Sequence, residues 1–461
     1  MSGAWRWSSP PTTGLAPTPR AGYASTIHNN ELFIAGGWNG QTAPGDAYAF
    51  NLDAFHWRQI ALRPRGGATL YNRIFFASAA IGSTLFIHGG VEGTNLNERF
   101  SDVLALDMGS DVLRPVEASN SPVAPTLQRH SMASRGESLW IVGGSTGSSW
   151  VSDVYRLDLS DWLASDGERP STWHAVKEVG GFEPWGRAHA CLIALPPPRP
   201  YLLLAAGGDG ERDFSDAYSF DLHSKYWEKL TNVSQGGDGL TGGGGGASSS
   251  KGNSKAVAAP AVTQAACALL PLPARGGSGS SSSNGGVGML LHGGFGGSAG
   301  QQKSEHDRLD AMHLLKVGPS RTNDAWGWAS LRGVGSVPEA RMGHALHVVN
   351  ASCIVLFGGG AKGRHLGDVH IGVPNRLGRI GAMEAEADAQ EREQAVQAAA
   401  EKEGGEAVED EESAEEGVVE EQTNEEEAEM VVVRTVRTSD KKRKKGKRRG
   451  AAGSHAPKGE L

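Results

Sequence analysis

The 461-residue sequence is poor in cysteine, and this argues against a disulfide-stabilised fold. Its three cysteines, Cys191, Cys267 and Cys353, are odd in number and far apart, and no two of them form a CxxC pair. This usage is typical of proteins kept in a reducing compartment. We therefore expect an intracellular protein of the cytoplasm, the nucleus or both, with the cysteines acting as small hydrophobic side chains. The stretches RAHAC and TQAAC place Cys191 and Cys267 at matching positions.

Long apolar runs are also absent. No stretch approaches the length of a membrane-spanning helix, so we expect no membrane span. The N-terminal stretch MSGAWRWSSPPTTG has neither a basic region nor an apolar core, which indicates that it is not a signal peptide.

Net charge is almost missing from the first four-fifths of the chain. Residues 1–375 carry 30 acidic and 29 basic side chains, a net charge of −1, whereas residues 376–461 carry 22 acidic and 15 basic ones, a net charge of −7. The neutral part lacks the basic surface that nucleic-acid binding requires. Charge-driven contacts are therefore expected only from the C-terminal tail.

Glycine, in contrast, is abundant at 65 residues, and it recurs in pairs. Six short apolar runs, the first being LFIA, each end in two glycines, at intervals of 53, 54, 64, 86 and 65 residues. A period near 50 residues predicts a β-propeller, in which the glycines end the second strand of each blade where the chain turns sharply. The pairs are Gly36 and Gly37, Gly89 and Gly90, Gly143 and Gly144, Gly207 and Gly208, Gly293 and Gly294, and Gly358 and Gly359.

The sequence around each glycine pair recurs as well. An Asp-led apolar strand such as SDVLALD follows the pair, and a strand bearing Trp usually comes next, although the second unit reads DVLRPV instead. Before the pair lies another strand, opened by arginine in Arg20, Arg73 and Arg341, less exactly in Arg129 and Arg187, and by Thr263 in the fifth unit. Each unit therefore predicts four short strands, and six radially packed units bury the faces that one sheet leaves open.

These residues resemble the kelch repeat over residues 5–373. The resemblance implies an all-β, six-bladed propeller that binds a partner protein or acidic peptide at one mouth of its channel. Some kelch proteins are enzymes, but we expect a non-enzymatic module here. The resemblance also implies that the opening arginines face that channel; the alternative is that they bridge blades through buried hydrogen bonds. The candidate contacts are Arg20, Arg73, Arg129, Arg187 and Arg341, joined by the loop residues Trp38, Glu92, Trp150, Arg212, Lys362 and Arg364.

The ends of the repeat predict how the ring closes. The sixth unit stops after GDVHIGV without a Trp-bearing strand, while AWRWSS, with Trp5 and Trp7, stands alone at the other end. We expect this N-terminal strand to complete the sixth blade. The first 20 residues are too short for a BTB domain, which disfavours a ubiquitin-ligase adaptor of that kind.

The sequence divides into a propeller over 1–375, a solvated Ala/Glu-rich helix over 376–403 and a disordered, acidic then basic tail over 404–461. Gly/Ser-rich insertions at about 235–255 and 273–288 predict flexible loops. The basic block resembles a nuclear localisation signal, with weak nucleic-acid contact as the alternative. The charged tail also supports a second functional hypothesis, in which the protein is a trafficking or nuclear/RNA-associated scaffold and the tail makes the main contacts. The block comprises Lys441, Lys442, Arg443, Lys444, Lys445, Lys447, Arg448 and Arg449.

Motifs that would indicate catalysis have a simpler explanation. Gly143 to Gly147 matches GxSxG, but a nucleophile elbow needs a helix directly after Ser145, and the repeat predicts a strand there. GGGAKGRH lacks the Gly-Lys-Ser/Thr of a phosphate loop. The histidines occupy repeat positions without metal-site spacing. We therefore predict no catalytic residue, no metal and no cofactor, and a monomeric protein.

Overall fold

A computed structural model describes residues 4–120, 123–181, 183–230, 260–272, 286–296, 312–317, 327–350 and 352–375. The chain divides into two units, 1–384 and 385–461, and all described residues lie in the first. The predicted helix, the charged tail and most of both Gly/Ser-rich insertions lie outside the described residues. Val287 and Gly288, which we predicted to belong to the second insertion, instead lie in a strand.

The described residues are nearly all β and form six four-stranded antiparallel blades, as predicted. Blades 1 to 3 comprise β3 (Ala24–His28), β4 (Glu31–Ala35), β5 (Ala47–Asn51) and β6 (His56–Ile60); β9 (Ala77–Ile81), β10 (Thr84–His88), β12 (Val103–Asp107) and β13 (Val112–Pro115); and β14 (Ser131–Arg135), β15 (Ser138–Val142), β16 (Val154–Asp158) and β17 (Thr172–Val176).

Blades 4 to 6 follow the same plan. They comprise β19 (Cys191–Ala194), β20 (Tyr201–Ala205), β21 (Ala217–Asp221) and β22 (Tyr226–Lys229); β23 (Ala266–Pro271), β24 (Val287–His292), β25 (Met312–Val317) and β26 (Gly327–Leu331); and β28 (Ala345–Val349), β29 (Cys353–Ala361), β30 (Arg364–Pro374) and β1 (Trp5–Ser8). A helix, α1 (Ser160–Ala164), interrupts blade 3.

The first strand of each blade lies innermost, and these six strands contact one another in cyclic order, β28 meeting β3 to close the ring. Six hydrophobic clusters fill the six joints between neighbouring blades. The core is therefore distributed around the ring, because each blade buries its two faces against its two neighbours.

The repeat glycines hold neighbouring blades together. In blades 2, 3, 5 and 6 the backbone N–H of the second glycine donates to the carbonyl of the residue that opens the next blade, as from Gly90 to Leu127 at 2.8 Å and from Gly359 to Arg20 at 2.9 Å. Both glycines have positive φ, +90° and +98°, and an added Cβ would meet backbone within 3 Å. Side chains are excluded there by strain and by space.

Blade 4 departs from the predicted glycine register by one residue. Ala206, at φ +62°, occupies the first glycine place. Gly207 makes the bond to the next blade, donating to Val262 at 2.7 Å. Gly208 comes next and forms a bridge with Ala188, the place that Trp38 takes in blade 1. The predicted pair Gly207–Gly208 was therefore wrong in register, because the alanine tolerates the left-handed turn that glycine usually supplies.

Each outer-strand tryptophan packs into the joint with the preceding blade. Trp57 is 1% exposed and Trp227 is fully buried; the Trp57 ring centroid lies 5.0 Å from that of Phe357 in blade 6. In blade 2 the same place is taken by Leu113, which fills the joint between blades 1 and 2. The missing tryptophan is thus replaced by a smaller apolar side chain.

The predicted closure is confirmed. Strand β1 pairs antiparallel with β30, with Trp7 opposite Gly372, and Trp5 and Trp7 are 4% and 2% exposed in the joint between blades 5 and 6. Gly372 leaves room for the indole, because a Cβ there would lie 3.1 Å from the ring of Trp7. The two ends of the ring are therefore joined by strand pairing.

One feature that the four-strand repeat did not predict is a fifth, outermost strand. The connection leaving each of several blades pairs in parallel with the outer strand of the next blade, which shields an edge that would otherwise be open. These strands are β2 (Thr13–Gly14), β7 (Arg63–Pro64), β18 (Gly180–Gly181) and β27 (Gly333–Gly335).

Among the described residues, no helix is both long and apolar enough to cross a membrane.

Candidate partner-binding site at the channel mouth

Six residues with left-handed backbone conformation surround the channel where the inner strands begin. Each precedes its inner strand by two residues, and their backbone groups bond from blade to blade: Arg129 donates to Phe75 at 2.7 Å, and His189 donates to Arg129 at 2.8 Å. We call this set the mouth ring. Its members are Gly22, Phe75, Arg129, His189, Gln264 and Gly343.

Loops following the second strands lie on the same face as the mouth ring. In every blade a short antiparallel bridge joins the strand-opening segment to the residue after the glycines, as between Ala21 and Trp38. In blade 2 this bridge is the ribbon of β8 (Arg73–Ile74) and β11 (Val91–Glu92). The loop residues predicted as contacts are thereby placed around one mouth of the channel.

Four of the five predicted arginines lie inside their own blades. Their side chains are 0–3% exposed. Each donates to the carbonyl at the end of the second strand and pairs with the Asp that leads the third strand. The pairs are Arg20 with Asp46, Arg73 with Asp102, Arg187 with Asp216 and Arg341 with Asp368, at 2.5, 2.7, 2.6 and 2.7 Å.

The alternative prediction, that the arginines bridge neighbouring blades through buried hydrogen bonds, is therefore correct in part. The hydrogen bonds are buried, but each arginine links strands within a single blade. In blades 3 and 5 the same position holds Leu127 and Val262, both buried. The predicted equivalence of Arg129 and Thr263 with the other opening residues was therefore out of register. Arg129 lies two residues farther on, in the mouth ring.

Arg129 has different surroundings from the other four. Its guanidinium lies 4.1 Å from the centroid of the Phe75 ring. Within the described parts of the chain it forms no ion pair, and its buried Nε has no hydrogen-bond partner. Burial lowers the pKa of Arg129, and no carboxylate offsets this cost. A half-buried, unpaired cation of this kind favours an anionic ligand.

A cavity of about 590 Å³ extends from the mouth ring into the channel. Its wall combines apolar and weakly polar groups, including Phe75, Met132, His189, Cys267 and Trp38. This mixture and volume fall in the range of sites that accept small ligands or a peptide end.

Comparison with known proteins agrees with this architecture. Residues 19–61 match the family model of the Kelch motif, and residues 66–242 match that of the KLHDC2/KLHL20/DRC7 Kelch-repeats domain. The chain is a kelch-repeat protein. Kelch domain-containing protein 10 of Rattus norvegicus is 24% identical over 235 residues, covering 49% of this chain and 53% of that protein.

Two other relatives share only segments. Kelch repeat-containing protein 2 of Saccharomyces cerevisiae is 31% identical over 160 residues, which is 31% of this chain and 17% of that protein. The flagellar outer-arm dynein alpha chain of Chlamydomonas reinhardtii is 26% identical over 241 residues, or 49% of this chain and 5% of that protein. The chain thus spans about half the length of its kelch domain-containing relatives, and less of the others.

The predicted loop contacts differ in their exposure and in the partners that they already have. Trp38 lines the cavity, and Lys362 is exposed at the turn between β29 and β30. Glu92 accepts hydrogen bonds from the Asn72 side chain of the strand-opening segment and from the Thr94 hydroxyl of its own loop.

The remaining three contacts lie toward the rim. Arg212 pairs with Asp209 at 2.7 Å and stacks 4.8 Å from the ring centroid of Trp185. Trp150 packs beside Gly210, and Arg364 pairs with Glu339 at 2.6 Å. Sequence reasoning missed Phe75, His189 and Gln264 as mouth residues. The signal was available in the glycines of RAGYAS and RMGHAL, which mark the left-handed position.

The motifs dismissed as catalytic lie in ordinary repeat positions. Ser145 is buried in the bridge that follows the glycines, and its hydroxyl accepts from the Gly147 backbone N–H at 2.9 Å. The chain then continues through a loop to β16. No group of three or more potential metal ligands occurs within the described ranges. The basic block at 441–449 lies outside them, so its role stays a prediction.

Two buried histidine pairs join kelch blades on opposite sides of the ring. His88 of blade 2 meets His130 of blade 3, and His292 of blade 5 meets His344 of blade 6, each with 2.9 Å between ring nitrogens. One imidazole donates and the other accepts. Burial, with nearby Arg73 and Arg341, lowers the pKa of His88 and of His292 to about 3. Burial also holds the pKa of His130 and His344 well below the usual value.

These pairs predict a steep loss of stability in mild acid. Above about pH 6.5 the histidines are neutral in both the folded and unfolded chain. Below it only the unfolded chain takes up the protons, so the free energy of unfolding should fall by about 1.4 kcal/mol per pH unit for each such histidine, continuing toward pH 3. Urea unfolding at intervals from pH 7.5 to 4 measures this slope.

A matched variant comes from the chain itself. The equivalent positions between blades 3 and 4 hold Val142 and Ala190. The double variant His88→Val/His130→Ala should therefore show a shallower decline between pH 6.5 and 4 than the wild type. An unchanged slope would contradict the assignment of acid sensitivity to the pair.

Proposed function

We propose that the protein is a non-enzymatic interaction module that binds an acidic segment of a partner protein at the mouth ring, with Arg129 as the cationic anchor for a carboxylate of that segment. A kelch propeller supports protein interaction in general. The finer assignment depends on one observation, the half-buried guanidinium of Arg129 without a carboxylate partner in the described structure.

Three further features favour this site. The Phe75 ring stacks against one face of the Arg129 guanidinium. The N–H groups at the guanidinium edge therefore stay available for a bidentate carboxylate. The adjoining cavity accepts apolar side chains beside the acidic residue. The rim offers the exposed Trp185 with Arg212 stacked on its ring, and Trp and Arg are frequent energetic centres of interfaces.

Selection from a random peptide library with the full chain tests this function. We expect enrichment of peptides containing Asp or Glu next to apolar residues. Replacement Arg129→Gln should weaken a selected peptide about tenfold to a hundredfold, since a hydrogen bond to a charged group contributes about 1.5–3 kcal/mol. Titration calorimetry or fluorescence anisotropy measures the change.

The matched control is Arg364→Gln, an exposed arginine of the same face that already pairs with Glu339. It should change peptide affinity less than threefold, which is about 0.6 kcal/mol. Selected peptides without acidic residues, or equal loss in both variants, would argue against Arg129 as the anchor.

A further inference from the structure

Two thiols meet at the joint between blades 4 and 5. Cys191 begins β19 and Cys267 is the second residue of β23, the two neighbouring inner strands. Cys191 packs in the hydrophobic cluster of this joint and Cys267 packs against the same cluster. Cys191 Sγ also donates to the carbonyl of Ala265, two residues before Cys267, at 3.5 Å. The stretches RAHAC and TQAAC had predicted matching positions for the two cysteines. In the structure they are offset by one residue, because Cys191 and Ala266 each begin the inner strand of their blade. This offset brings the side chains together across the joint.

The two thiols differ in accessibility. Cys191 is 2% exposed and packs in the hydrophobic cluster between the blades. Cys267 is only partly buried and lines the channel cavity of about 590 Å³. A small oxidant that enters the cavity therefore reaches Cys267 first. The third cysteine, Cys353, begins β29 in blade 6 and its thiol contacts the carbonyl of the adjacent Ile354.

We propose that Cys191 and Cys267 form a redox-responsive pair that closes to a disulfide when the protein meets hydrogen peroxide, linking blades 4 and 5 beside the channel. Because both side chains pack in the same joint, the second thiol is placed to intercept the oxidised form of the first. This site goes beyond the proposed partner binding and does not depend on it.

The chemistry takes two steps. The Cys267 thiolate attacks one peroxide oxygen, so an S–O bond forms, the O–O bond breaks, and the leaving hydroxide takes up a proton to become water. Sulfur of Cys191 then attacks the sulfenic sulfur; the S–S bond forms, the S–O bond breaks, and the second hydroxide leaves as water with the Cys191 proton. The two thiols lose two electrons together, and peroxide is reduced to two waters.

The order of the steps follows from the surroundings. The hydrogen bond with Cys267, together with burial, raises the pKa of the Cys191 thiol. Cys191 is therefore kept protonated and shielded, which suits it to resolve a sulfenic acid rather than to meet the oxidant. Closure brings the two sulfur atoms to about 2 Å from each other. It also changes the wall of the cavity, because Cys267 belongs to it.

Mass spectrometry of the full chain tests the pair. The reduced protein is treated with hydrogen peroxide, its remaining thiols are alkylated under denaturing conditions, and the protein is digested without reduction. We expect a linked peptide pair containing Cys191 and Cys267, two hydrogens lighter than the sum of its parts, with Cys353 alkylated. Two of the three thiols should be lost and then recovered with dithiothreitol.

Single variants separate this result from general oxidation. In Cys191→Ser, Cys267 should stop at a sulfenic acid that dimedone traps; in Cys353→Ser, the cross-link should form as in the wild type. Near-ultraviolet circular dichroism verifies that each variant is folded. The proposal is overturned if wild-type Cys267 proceeds to sulfinic or sulfonic acid without a cross-link. Faster loss of Cys353, or a link only between two chains, overturns it equally.

Discussion

Replacing Trp7 with alanine should destabilise the propeller by about 3–5 kcal/mol, the usual cost of emptying a fully buried aromatic site. Trp7 is 2% exposed and fills the joint between blades 5 and 6. Its strand also supplies the pairing that fastens the ends of the ring. Since domains commonly have only 5–15 kcal/mol in total, this loss is large. Urea unfolding followed by circular dichroism measures it.

The matched control is Trp185→Ala, the same substitution at a side chain that is 63% exposed, which should change stability by no more than about 0.5 kcal/mol. Deleting residues 1–9 should lower the unfolding midpoint further than Trp7→Ala. A synthetic peptide of residues 3–12 should restore part of it in a concentration-dependent way, because it binds only the folded ring. A midpoint unaffected by the deletion would contradict closure by β1.

The second large effect is expected at Arg187 and Asp216. Arg187 is 1% exposed, donates to Asp216 at 2.6 Å and donates to the Ala206 carbonyl at 3.0 Å. Asp216→Leu leaves this guanidinium buried without its carboxylate and should cost about 3–5 kcal/mol. Glu339→Ala, which removes a partner from the exposed arginine Arg364, should cost less than about 1 kcal/mol.

The other blades indicate which second substitution should restore stability to the Asp216→Leu variant. Leu127 and Val262 occupy the position of Arg187 in blades 3 and 5. The double variant Arg187→Leu/Asp216→Leu should therefore be more stable than either single variant, with a coupling energy of about 1–3 kcal/mol in a double-mutant cycle. Additive losses would show that the pair makes no specific contribution.

Much of this fold is predictable from the sequence because the repeat constrains it strongly. The glycine pairs, the Asp-led strands and the tryptophans recur at fixed places, and the isolated Trp5 and Trp7 match the strand absent from blade 6. Each of these signals reflects a local requirement: a left-handed turn, a strand start or a large apolar side chain. Such requirements are visible in a single sequence.

The site was less predictable because its geometry depends on register between units. Arg129 resembles the opening arginines by residue type, yet it occupies the place of Gly22 and Gly343. A shift of two residues separates an ion pair inside a blade from an unpaired cation at the mouth. The pairing of His88 with His130, and of Cys191 with Cys267, joins residues from different blades. No spacing within one repeat indicates such contacts.

The buried arginines have a structural role, whereas Arg129 at the mouth ring is free to bind a ligand. Four guanidiniums satisfy the ends of the second strands and hold each blade in shape, so they are unavailable to a ligand in this structure. The blades that lack such a pair use an apolar residue instead. This leaves Arg129 as the cation of the mouth ring.

The most direct test asks whether Arg129, rather than the other arginines, binds the acidic ligand. It measures the affinity of one selected acidic peptide for the wild type, Arg129→Gln and Arg364→Gln in parallel at several salt concentrations. We predict a tenfold to hundredfold loss of affinity in Arg129→Gln alone, with unchanged unfolding midpoints and a weaker salt dependence of binding, since one ionic contact is removed. Wild-type affinity in Arg129→Gln would contradict it, and the mouth ring would then have no role in holding the partner's carboxylate.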